Sequence, residues 1–400
     1  MRQSLISAGA VGFEGRATSQ DHLGPLIKWP GGKTSELRLI RPLIPRYGRY
    51  FEPFFGGGAL FFQLCPKRAI INDRAPELMA FYTFVRDKNP TFREELFQMV
   101  KHWKRIGDYL RVFGADLSQL YVRYRSNEID DSGLENSIGV LFEKRIVPFN
   151  GMFDRRFCIE PLDLGHHMKA NLIAKMKRMK RAVDVRQRFD ASEVQKNVET
   201  ALRSGFYMHF REILNADKRG TIVLTSERRL ATYYFIREFC YGSMFRYNSQ
   251  GEFNIPYGGI AYNAKDFDKK AQHLFSNAVA DVLARATIEC GDFETVFHKH
   301  RLTEDDFVFV DPPYDSDFSS YEENAFTKSD HSRLAGLLGQ TPAKVLAVIA
   351  DTPFIRSLYQ GNGFAIDGFE KRYLYNVRGR NNQRAKHLMI TNYQLPTLRQ

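Results

Sequence analysis

Cysteine is scarce in this sequence. The four cysteines, Cys65, Cys158, Cys240 and Cys290, lie far apart and form no C-x-x-C pair. This spacing argues against a zinc site or a disulfide framework and fits a reducing compartment. Long apolar runs are also missing, since none approaches the roughly 18 residues that a membrane span needs. Gly and Ser interrupt the first residues, unlike the core of a signal peptide, so we expect a cytoplasmic protein that does not span a membrane.

Acidic residues are in deficit as well. Lys and Arg number 58 against 46 Asp and Glu, which gives a net charge of +12. This excess favours a polyanionic partner, because cationic side chains neutralise phosphates and release counterions. A basic protein without such a partner is the alternative. The length of 400 residues suggests two or three domains of about 150 residues each.

Four consecutive residues, Asp311-Pro312-Pro313-Tyr314, form the most distinctive candidate site. They follow the apolar run Phe307–Val310, which predicts a buried strand that the two prolines end. A carboxylate, two rigid residues and an aromatic ring should therefore lie at the carboxyl end of that strand, where ligands bind in open α/β sheets. The alternative is an ordinary Asp-Pro turn.

Two glycine-rich turns near the start of the chain are further candidates. In the turn at residues 28–33, Lys33 could hold a carboxylate and Trp29 could cover a flat ring or a sulfonium charge; a helix-capping loop with a core tryptophan is the alternative. The stretch Tyr50–Phe62 is typical of a strand, a glycine turn and a helix, as in doubly wound folds. Asp73 ends the next predicted strand, Ala69–Asp73, and could accept hydrogen bonds from ribose hydroxyls, or could cap the helix that follows.

The middle of the chain, residues 87–230, is charged and irregular. The basic stretch Lys175–Arg188 is either a solvated helix face or a track for a phosphate backbone. Residues 145–162 predict a loop or hairpin. Helices are predicted at Phe92–Val112, Ser118–Ser126 and Gly165–Asp190.

Aromatic side chains are concentrated at Tyr241–Gly259, after a helix predicted at Ser226–Phe239. The segment predicts a β-hairpin with a glycine turn. Arg246 and Asn248 lie between its aromatic residues, a mixture that suits stacking on bases and hydrogen bonding to their edges. A hairpin buried in the core is the alternative.

The last third of the chain returns to strands that alternate with helices, which predicts a mostly parallel sheet. Strands are predicted at Thr287–Cys290 and Lys344–Ala350, and Ser329 is predicted to cap a helix. The chain should end in a hairpin at Tyr373–Asn392 with basic residues near its turn.

The order of these motifs resembles one known family. K-W-x-G-G-K is followed by E-P-F-x-G-x-G, by an acid at the next strand end, by R-Y-N-x-x-G-x-F-N-x-P-x-G after a long insert, and by D-P-P-Y. Each motif is modest, but together and in this order they resemble the D12 class (alpha group, Dam-like) of DNA adenine-N6 methyltransferases. The resemblance covers residues 26–86 and 231–393.

The resemblance implies an α/β fold: a Rossmann-like sheet that binds S-adenosyl-L-methionine, with an inserted, mainly helical target-recognition domain and β-hairpin. The implied domains are a flexible leader at 1–24, a catalytic and cofactor-binding domain at 25–86 and 265–400, and a DNA target-recognition insert at 87–264. The implied activity is site-specific methyl transfer from this cofactor to the exocyclic amino group of a flipped-out adenine in double-stranded DNA. The resemblance implies no metal, and it leaves open whether a cognate restriction enzyme is a partner.

The family pattern also implies roles for single residues. The Asp311 carboxylate and the Pro312 carbonyl would each accept one amino hydrogen, while Tyr314 stacks on the flipped ring. The implied catalytic residues are Asp311, Pro312, Pro313 and Tyr314. The implied cofactor-binding residues are Trp29, Lys33, Glu52, Phe54, Gly56, Gly58, Asp73, Asp292 and Asp311. The implied DNA-binding residues are Tyr241, Met244, Arg246, Asn248, Arg378 and Arg380.

Two departures from the family pattern leave the target sequence open. Gly242 stands where relatives that recognise GATC carry Asn, and His387 stands where the family often has an acid. Three other functions compete. The first is a cytosine-N4 methyltransferase, but that group more often has Ser in place of Asp311. The second is a DNA-binding protein without catalysis, which would not need the intact motifs. The third is a nicotinamide oxidoreductase, whose glycine spacing this sequence does not have.

Overall fold

A seven-stranded sheet forms the centre of the molecule. The computed structural model describes residues 23–143, 164–183, 189–243, 246–313, 326–372 and 384–394. The strands are β1 (Arg49–Glu52), β2 (Ala69–Asp73), β3 (Ala286–Cys290), β4 (Asp306–Val310), β5 (Lys344–Ala350), β6 (Ala365–Arg372) and β7 (Arg384–Thr391). Their order across the sheet is β3-β2-β1-β4-β5-β7-β6.

The sheet is parallel except for β7, which runs antiparallel to both β5 and β6. The direction of the strand order reverses between β1 and β4, where Phe51 lies opposite Val308. Ligands bind at the carboxyl ends of the strands at such a switch point. Glu52 ends β1 and Asp311 follows β4, so both residues lie at this edge. The predicted α/β fold with a mostly parallel sheet is confirmed.

Helices make up most of the remaining described chain. They are α1 (Leu37–Ile40), α2 (Ala59–Leu64), α3 (Pro76–Arg86), α4 (Pro90–Arg125), α5 (Asp131–Leu141), α6 (Leu164–Val183), α7 (Ala191–Lys218), α8 (Ser226–Phe239), α9 (Phe267–Leu274), α10 (Asn277–Leu283), α11 (Phe293–His300), α12 (Lys328–Gln340) and α13 (Pro353–Tyr359). None of these helices is long and apolar enough to cross a membrane.

The two faces of the sheet have separate apolar clusters. One contains Phe51 and Val308 and packs against α11, α12 and α13. The other contains Tyr50 and Phe307 and continues into α3, α4, α7 and α8. Its helical part includes Trp103 of α4, whose ring centroid lies 4.3 Å from that of Phe239. Because the central strands are covered on both faces, β4 and β5 contain continuous apolar runs rather than alternating ones.

The middle of the chain has fewer breaks than predicted. The helices predicted at Phe92–Val112 and Ser118–Ser126 are one helix, α4, of 36 residues. Asn89 caps it and Pro90 occupies its first turn, positions that favour initiation. No proline follows within it to break the hydrogen-bond ladder, so the predicted interruption is wrong.

Helix α7, of 28 residues, has no counterpart in the sequence prediction. Its sequence does carry a start signal, because Asp190 and Glu193 form a reciprocal capping box. The helix predicted at Gly165–Asp190 corresponds to α6. The predicted loop at 145–162 and the last residues of the basic stretch, 184–188, lie outside the described part of the chain.

The predictions for the end of the chain are partly wrong. Ser329 lies inside α12, whose N-cap is Thr327 in a capping box with Asp330. Strand β6 begins at Ala365, before the predicted hairpin start. The turn of that hairpin, at 373–383, lies outside the described residues, as does nearly all of the predicted leader.

Candidate active site

Two left-handed glycines form the turn between β1 and α2. Gly56 has a φ of +50° and Gly58 a φ of +65°, conformations that glycine adopts without a Cβ clash. The Gly56 N–H donates to Asp73 Oδ2 over 2.9 Å, and the Tyr82 hydroxyl donates to the Gly56 carbonyl over 2.9 Å. The turn is therefore held from two sides at the carboxyl end of β1.

Trp29 packs directly against this turn. A Cβ at Gly56 would come within 2.7 Å of Trp29 Cδ1, so glycine is what allows the indole to approach. The guanidinium of Arg237, a residue only 1% exposed, lies 4.1 Å from the Trp29 ring centroid, which is cation–π geometry. Lys28 Nζ donates to the Glu238 carbonyl over 3.0 Å. Two adjacent residues of α8 thus hold the segment that carries Trp29.

An ion pair lies at the switch point of the sheet. Lys33 Nζ is 2.5 Å from Asp311 Oδ1 and 3.0 Å from the Gly31 carbonyl oxygen. The Lys33 side chain is 2% exposed and that of Asp311 18%. The buried carboxyl of Glu52 accepts a hydrogen bond from the Tyr50 hydroxyl over 2.8 Å. The chain therefore concentrates ionisable groups where the fold predicts a ligand.

Two acids of this cluster have perturbed pKa values. Burial raises the pKa of Glu52 well above its usual range, the Tyr50 hydrogen bond opposes this shift, and the charge of Asp311 adds to it. Burial also raises the pKa of Asp73, while hydrogen bonds from the backbone oppose the shift. Perturbed acids in a cleft are typical of functional sites.

Asp292 follows β3 and caps α11, where it accepts the Glu294 N–H over 3.0 Å. Arg333 of α12 donates to both oxygens of its carboxylate over 3.3 Å and 3.1 Å. The neighbouring Gly291 N–H donates to the Asp73 carbonyl over 3.2 Å. These contacts place Asp292 in a loop fixed to the end of β2, next to Asp73.

Comparison with known proteins agrees with this geometry. The family model of the D12 class of N6 adenine-specific DNA methyltransferases matches residues 29–133 and 168–374. The chain belongs to this family. As a D12 enzyme it transfers a methyl group from S-adenosyl-L-methionine to the amino group of adenine at specific sites in DNA, with the base flipped out of the duplex. The strand order is that of a Rossmann-like methyltransferase sheet.

Similar proteins extend over nearly the full length of this D12 enzyme. The Type II methyltransferase M.CviBI of Paramecium bursaria Chlorella virus NC1A is 24% identical, over 92% of this chain and 99% of that protein. Type II methyltransferase M1.LlaDCHI of Lactococcus lactis subsp. cremoris is 26% identical, over 93% and 96%. The DNA adenine methylase of Vibrio cholerae serotype O1 is 22% identical, over 89% and 91%.

The described residues of this D12 enzyme fit its cofactor chemically. Trp29 and Phe54 offer aromatic faces for a sulfonium or a purine ring, and the Phe54 ring lies 5.4 Å from that of Phe293. Asp73 and Asp292 offer carboxylate oxygens to hydroxyl and amino donors. Within the described ranges, no three His, Cys, Asp or Glu side chains are grouped to hold a metal ion.

The motif after β4 is described in part. Asp311 is paired with Lys33, Pro312 is buried, Pro313 is exposed, and Tyr314 lies outside the described residues. The carboxylate and the first proline of the motif are thus fixed at the switch point, as the sequence predicts for a site at the end of a buried strand.

The predicted DNA-binding residues lie in and near an aromatic turn. Tyr241 is 46% exposed, and Arg246 is exposed. Asn248 has a structural task, because its Oδ1 accepts the N–H groups of Gln250 and Glu252 over 3.0 Å and 2.9 Å. The residues of this set that lie outside the described chain are Met244, Arg378 and Arg380.

The predicted hairpin at Tyr241–Gly259 is less regular than expected. Antiparallel bridges join Cys240 to Tyr257 and Tyr247 to Phe253, and both are isolated rather than parts of continuous strands. Tyr257 and Phe253 are buried, whereas Arg246 and Asn254, which lie between the two bridges, are exposed. The segment therefore has one face in the core and the other in solvent.

Sequence reasoning did not single out Arg237 or Arg333, although both bind predicted site residues. A signal exists for Arg237, since it lies four positions after Tyr233 on an aromatic-rich helix and shares its face; the two groups are 5.5 Å apart. Arg333 has a local partner in Asp330, three positions earlier on α12, but nothing local indicates its bonds to Asp292 and Glu294, which come from a remote part of the chain.

Proposed function

We propose that Asp311 and the Pro312 carbonyl are the two acceptors that activate the adenine amino group in this enzyme. The Lys33–Asp311 ion pair, 2.5 Å long and located at the switch point, carries this proposal. It gives the Asp311 carboxylate a fixed position while leaving it partly accessible to a ligand. The rigid ring of Pro312 restricts the backbone and so keeps the Pro312 carbonyl near the Asp311 carboxylate.

The chemistry requires such acceptors because the amino lone pair of adenine is delocalised into the ring. Two acceptors at fixed positions draw the nitrogen towards tetrahedral geometry and concentrate its lone pair. They also stabilise the positive charge that develops on the nitrogen during the transfer. S-adenosyl-L-methionine, when bound, supplies the electrophilic methyl group. Tyr314 is proposed to stack on the flipped base, a contact worth roughly 1–3 kcal/mol.

The cofactor is proposed to bind over the glycine turn. Trp29 and Lys33 would line its methionine end, Asp73 would accept from the ribose hydroxyls, and Asp292 would face the adenine. The direct packing of Trp29 against Gly56 and the backbone link between the loops of Asp73 and Asp292 support a single continuous site. Glu52, Phe54 and Gly58 complete the proposed set.

The target site is proposed to be read by the helical insert and by the segment around Arg246. An exposed arginine on the solvent face of this segment suits bidentate hydrogen bonding to guanine. Tyr241, Met244, Asn248, Arg378 and Arg380 are proposed to assist on double-stranded DNA. Because two full-length relatives are Type II methyltransferases by name, we further propose a modification enzyme of the cytoplasm with a cognate restriction enzyme as its partner.

The catalytic proposal is tested by comparing Asp311→Ala with Asp351→Ala. Asp351 is a matched control, because it follows β5 as Asp311 follows β4, and its carboxylate binds Arg356 over 2.7 Å and 2.8 Å. Methyl transfer to duplex DNA should fall by about 100- to 1,000-fold or more for Asp311→Ala and stay near normal for the control. Mass spectrometry of the nucleosides would identify N6-methyladenine as the product. Near-normal activity of Asp311→Ala, or N4-methylcytosine as the product, would contradict the proposal.

The DNA-reading proposal is tested with Arg246→Ala on a library of duplex sites. A lost base contact should cost about 1–3 kcal/mol at one position of the site and relax specificity there. An equal loss of affinity for all sequences, with a smaller salt dependence, would make Arg246 a phosphate contact instead.

A further inference from the structure

One arginine joins α12 to the start of α11. The Arg333 guanidinium donates to Asp292 over 3.1 Å and 3.3 Å and to Asp330 over 2.8 Å, and it also pairs with Glu294. Its carbon lies 4.8 Å from the centroid of the Phe293 ring. Of these groups, Asp292 alone has a proposed role towards a ligand.

The backbone next to Asp292 is also held in place. Asn72 Nδ2 donates to the Gly291 carbonyl over 3.1 Å, and the Gly291 N–H donates to the Asp73 carbonyl over 3.2 Å. The main chain of this loop is therefore fixed to the end of β2, next to the acid proposed to bind the ribose. The Glu294 N–H already holds Oδ1 of Asp292, and the two contacts of Arg333 add a second point of attachment that fixes the rotation of the carboxylate about that bond.

The hydrogen-bonding capacity of Asp292 is not used up. An ionised carboxylate offers about four acceptor positions on its two oxygens. Oδ1 receives the Glu294 N–H and one N–H of Arg333, while Oδ2 receives one N–H of Arg333. The side chain of Asp292 is 33% exposed. Oδ2 can thus accept a further hydrogen bond from a ligand while Arg333 holds the carboxylate in place.

We propose that Arg333 is a positioning residue that aims Asp292 at the adenine amino group of the cofactor and so makes the enzyme select a 6-amino purine. This inference rests on the proposed role of Asp292 in cofactor binding. A carboxylate that only accepts hydrogen bonds favours an amino group at the purine 6-position and disfavours an oxo group, which also only accepts. Without Arg333 the carboxylate keeps only the bond from the Glu294 N–H, so Oδ2 is free to rotate away from the cofactor and this preference is lost.

Binding of two product analogues tests the inference. Affinities of S-adenosylhomocysteine and S-inosylhomocysteine, which differ at the purine 6-position, are measured by calorimetry for the wild type, Arg333→Gln and Arg333→Lys. Arg356→Gln is the matched control, because Arg356 makes the same two-point contact with Asp351 over 2.7 Å and 2.8 Å outside the proposed site. Thermal unfolding of each variant verifies that it is folded.

The wild type should prefer the adenine analogue. Arg333→Gln should weaken that analogue by about 10- to 100-fold and leave the inosine analogue nearly unchanged, so that the preference collapses. Arg333→Lys keeps the charge but loses the fork of donors, so its preference for the adenine analogue should lie between those of the wild type and Arg333→Gln. The control should match the wild type.

Equal weakening of both analogues by Arg333→Gln and Arg333→Lys would indicate a merely structural role and overturn the inference. So would a preserved preference in these variants alongside a lost preference in Asp292→Asn, which would leave the proposed function intact. A wild type that binds neither analogue would instead overturn the proposed cofactor site itself.

Discussion

Removing the ammonium of Lys33 is the most direct perturbation of the proposed active site. Lys33 is 2% exposed and Asp311 18% exposed, and their charged atoms are 2.5 Å apart. In Lys33→Met the side chain keeps much of its length, but the Asp311 carboxylate loses this cation. Breaking a buried ion pair costs about 3–5 kcal/mol, because the remaining charge stays desolvated. Since Asp311 keeps some contact with water, we expect about 3 kcal/mol.

A double-mutant cycle isolates the pair. Urea unfolding followed by circular dichroism gives the free energy of unfolding for Lys33→Met, Asp311→Asn and the double variant. With the carboxylate neutralised, the loss of Lys33 should cost less, so the double variant should be more stable than the sum of the single effects predicts by at least about 1 kcal/mol. Lys104→Met is the surface control: Lys104 is 59% exposed in its pair with Asp268, and its loss should stay within about 1 kcal/mol. Effects of Lys33→Met and Asp311→Asn that simply add would refute a coupled ion pair.

Three further predictions concern single sites. Gly56→Ala should lower the free energy of unfolding by at least about 1–2 kcal/mol, since the φ of Gly56 is +50° and the new Cβ would meet Trp29. The control Gly336→Ala, in open space on α12, should raise it by about 0.5–1 kcal/mol, and equal urea midpoints for the two variants would contradict this. Burial raises the pKa of Glu52, so the stability that this carboxyl contributes is fully present below its ordinary pKa of 4.5 and is lost as pH rises from there to the folded pKa. Glu52→Gln should therefore gain stability relative to the wild type at pH 8 but not at pH 4, and a gain independent of pH would refute the shift. Burial lowers the pKa of His209 from 6.5 to about 3, so the stability present above pH 6.5 is lost as pH falls, by about 1.4 kcal/mol per pH unit. His209→Phe should flatten that slope, and an unchanged acid limb in the pH–stability curve of this variant would argue against the shift.

Local patterns were sufficient for the central parallel strands of the sheet, but not for the edge strand β6, which begins before the predicted hairpin. The predicted strands Ala69–Asp73 and Lys344–Ala350 have the bounds observed for β2 and β5, because each is a short apolar run ended by a polar residue. The switch point with Asp311 also follows from local sequence, since prolines end β4. Helix ends were less predictable: Thr327 rather than Ser329 caps α12, and only the reciprocal bond with Asp330 distinguishes them.

Contacts between remote segments could not be predicted in the same way. Arg237 lies 208 positions after Trp29, and no pattern in either segment indicates that the guanidinium and the indole ring are in contact. The long helices α4 and α7 were obscured because their exposed faces are densely charged, which resembles irregular solvated chain when the partner surface is unknown. Motif order could assign roles to Lys33 and Asp311, but their direct pairing depends on the register of the folded sheet.

The single apolar cluster shared by the sheet and helices α4, α7 and α8 has a consequence for swapping specificities between relatives. A target-reading region that packs as an independent module can be grafted onto another catalytic domain. Here the proposed target-reading helices share their apolar interior with the sheet, so a graft would carry only part of that interior. Because close-packed interiors tolerate mismatched volumes poorly, chimeras should require matched changes on α3 and the sheet. Specificity in this enzyme should therefore diverge more readily through point substitutions at exposed residues such as Arg246, the proposed base contact, than through exchange of whole segments.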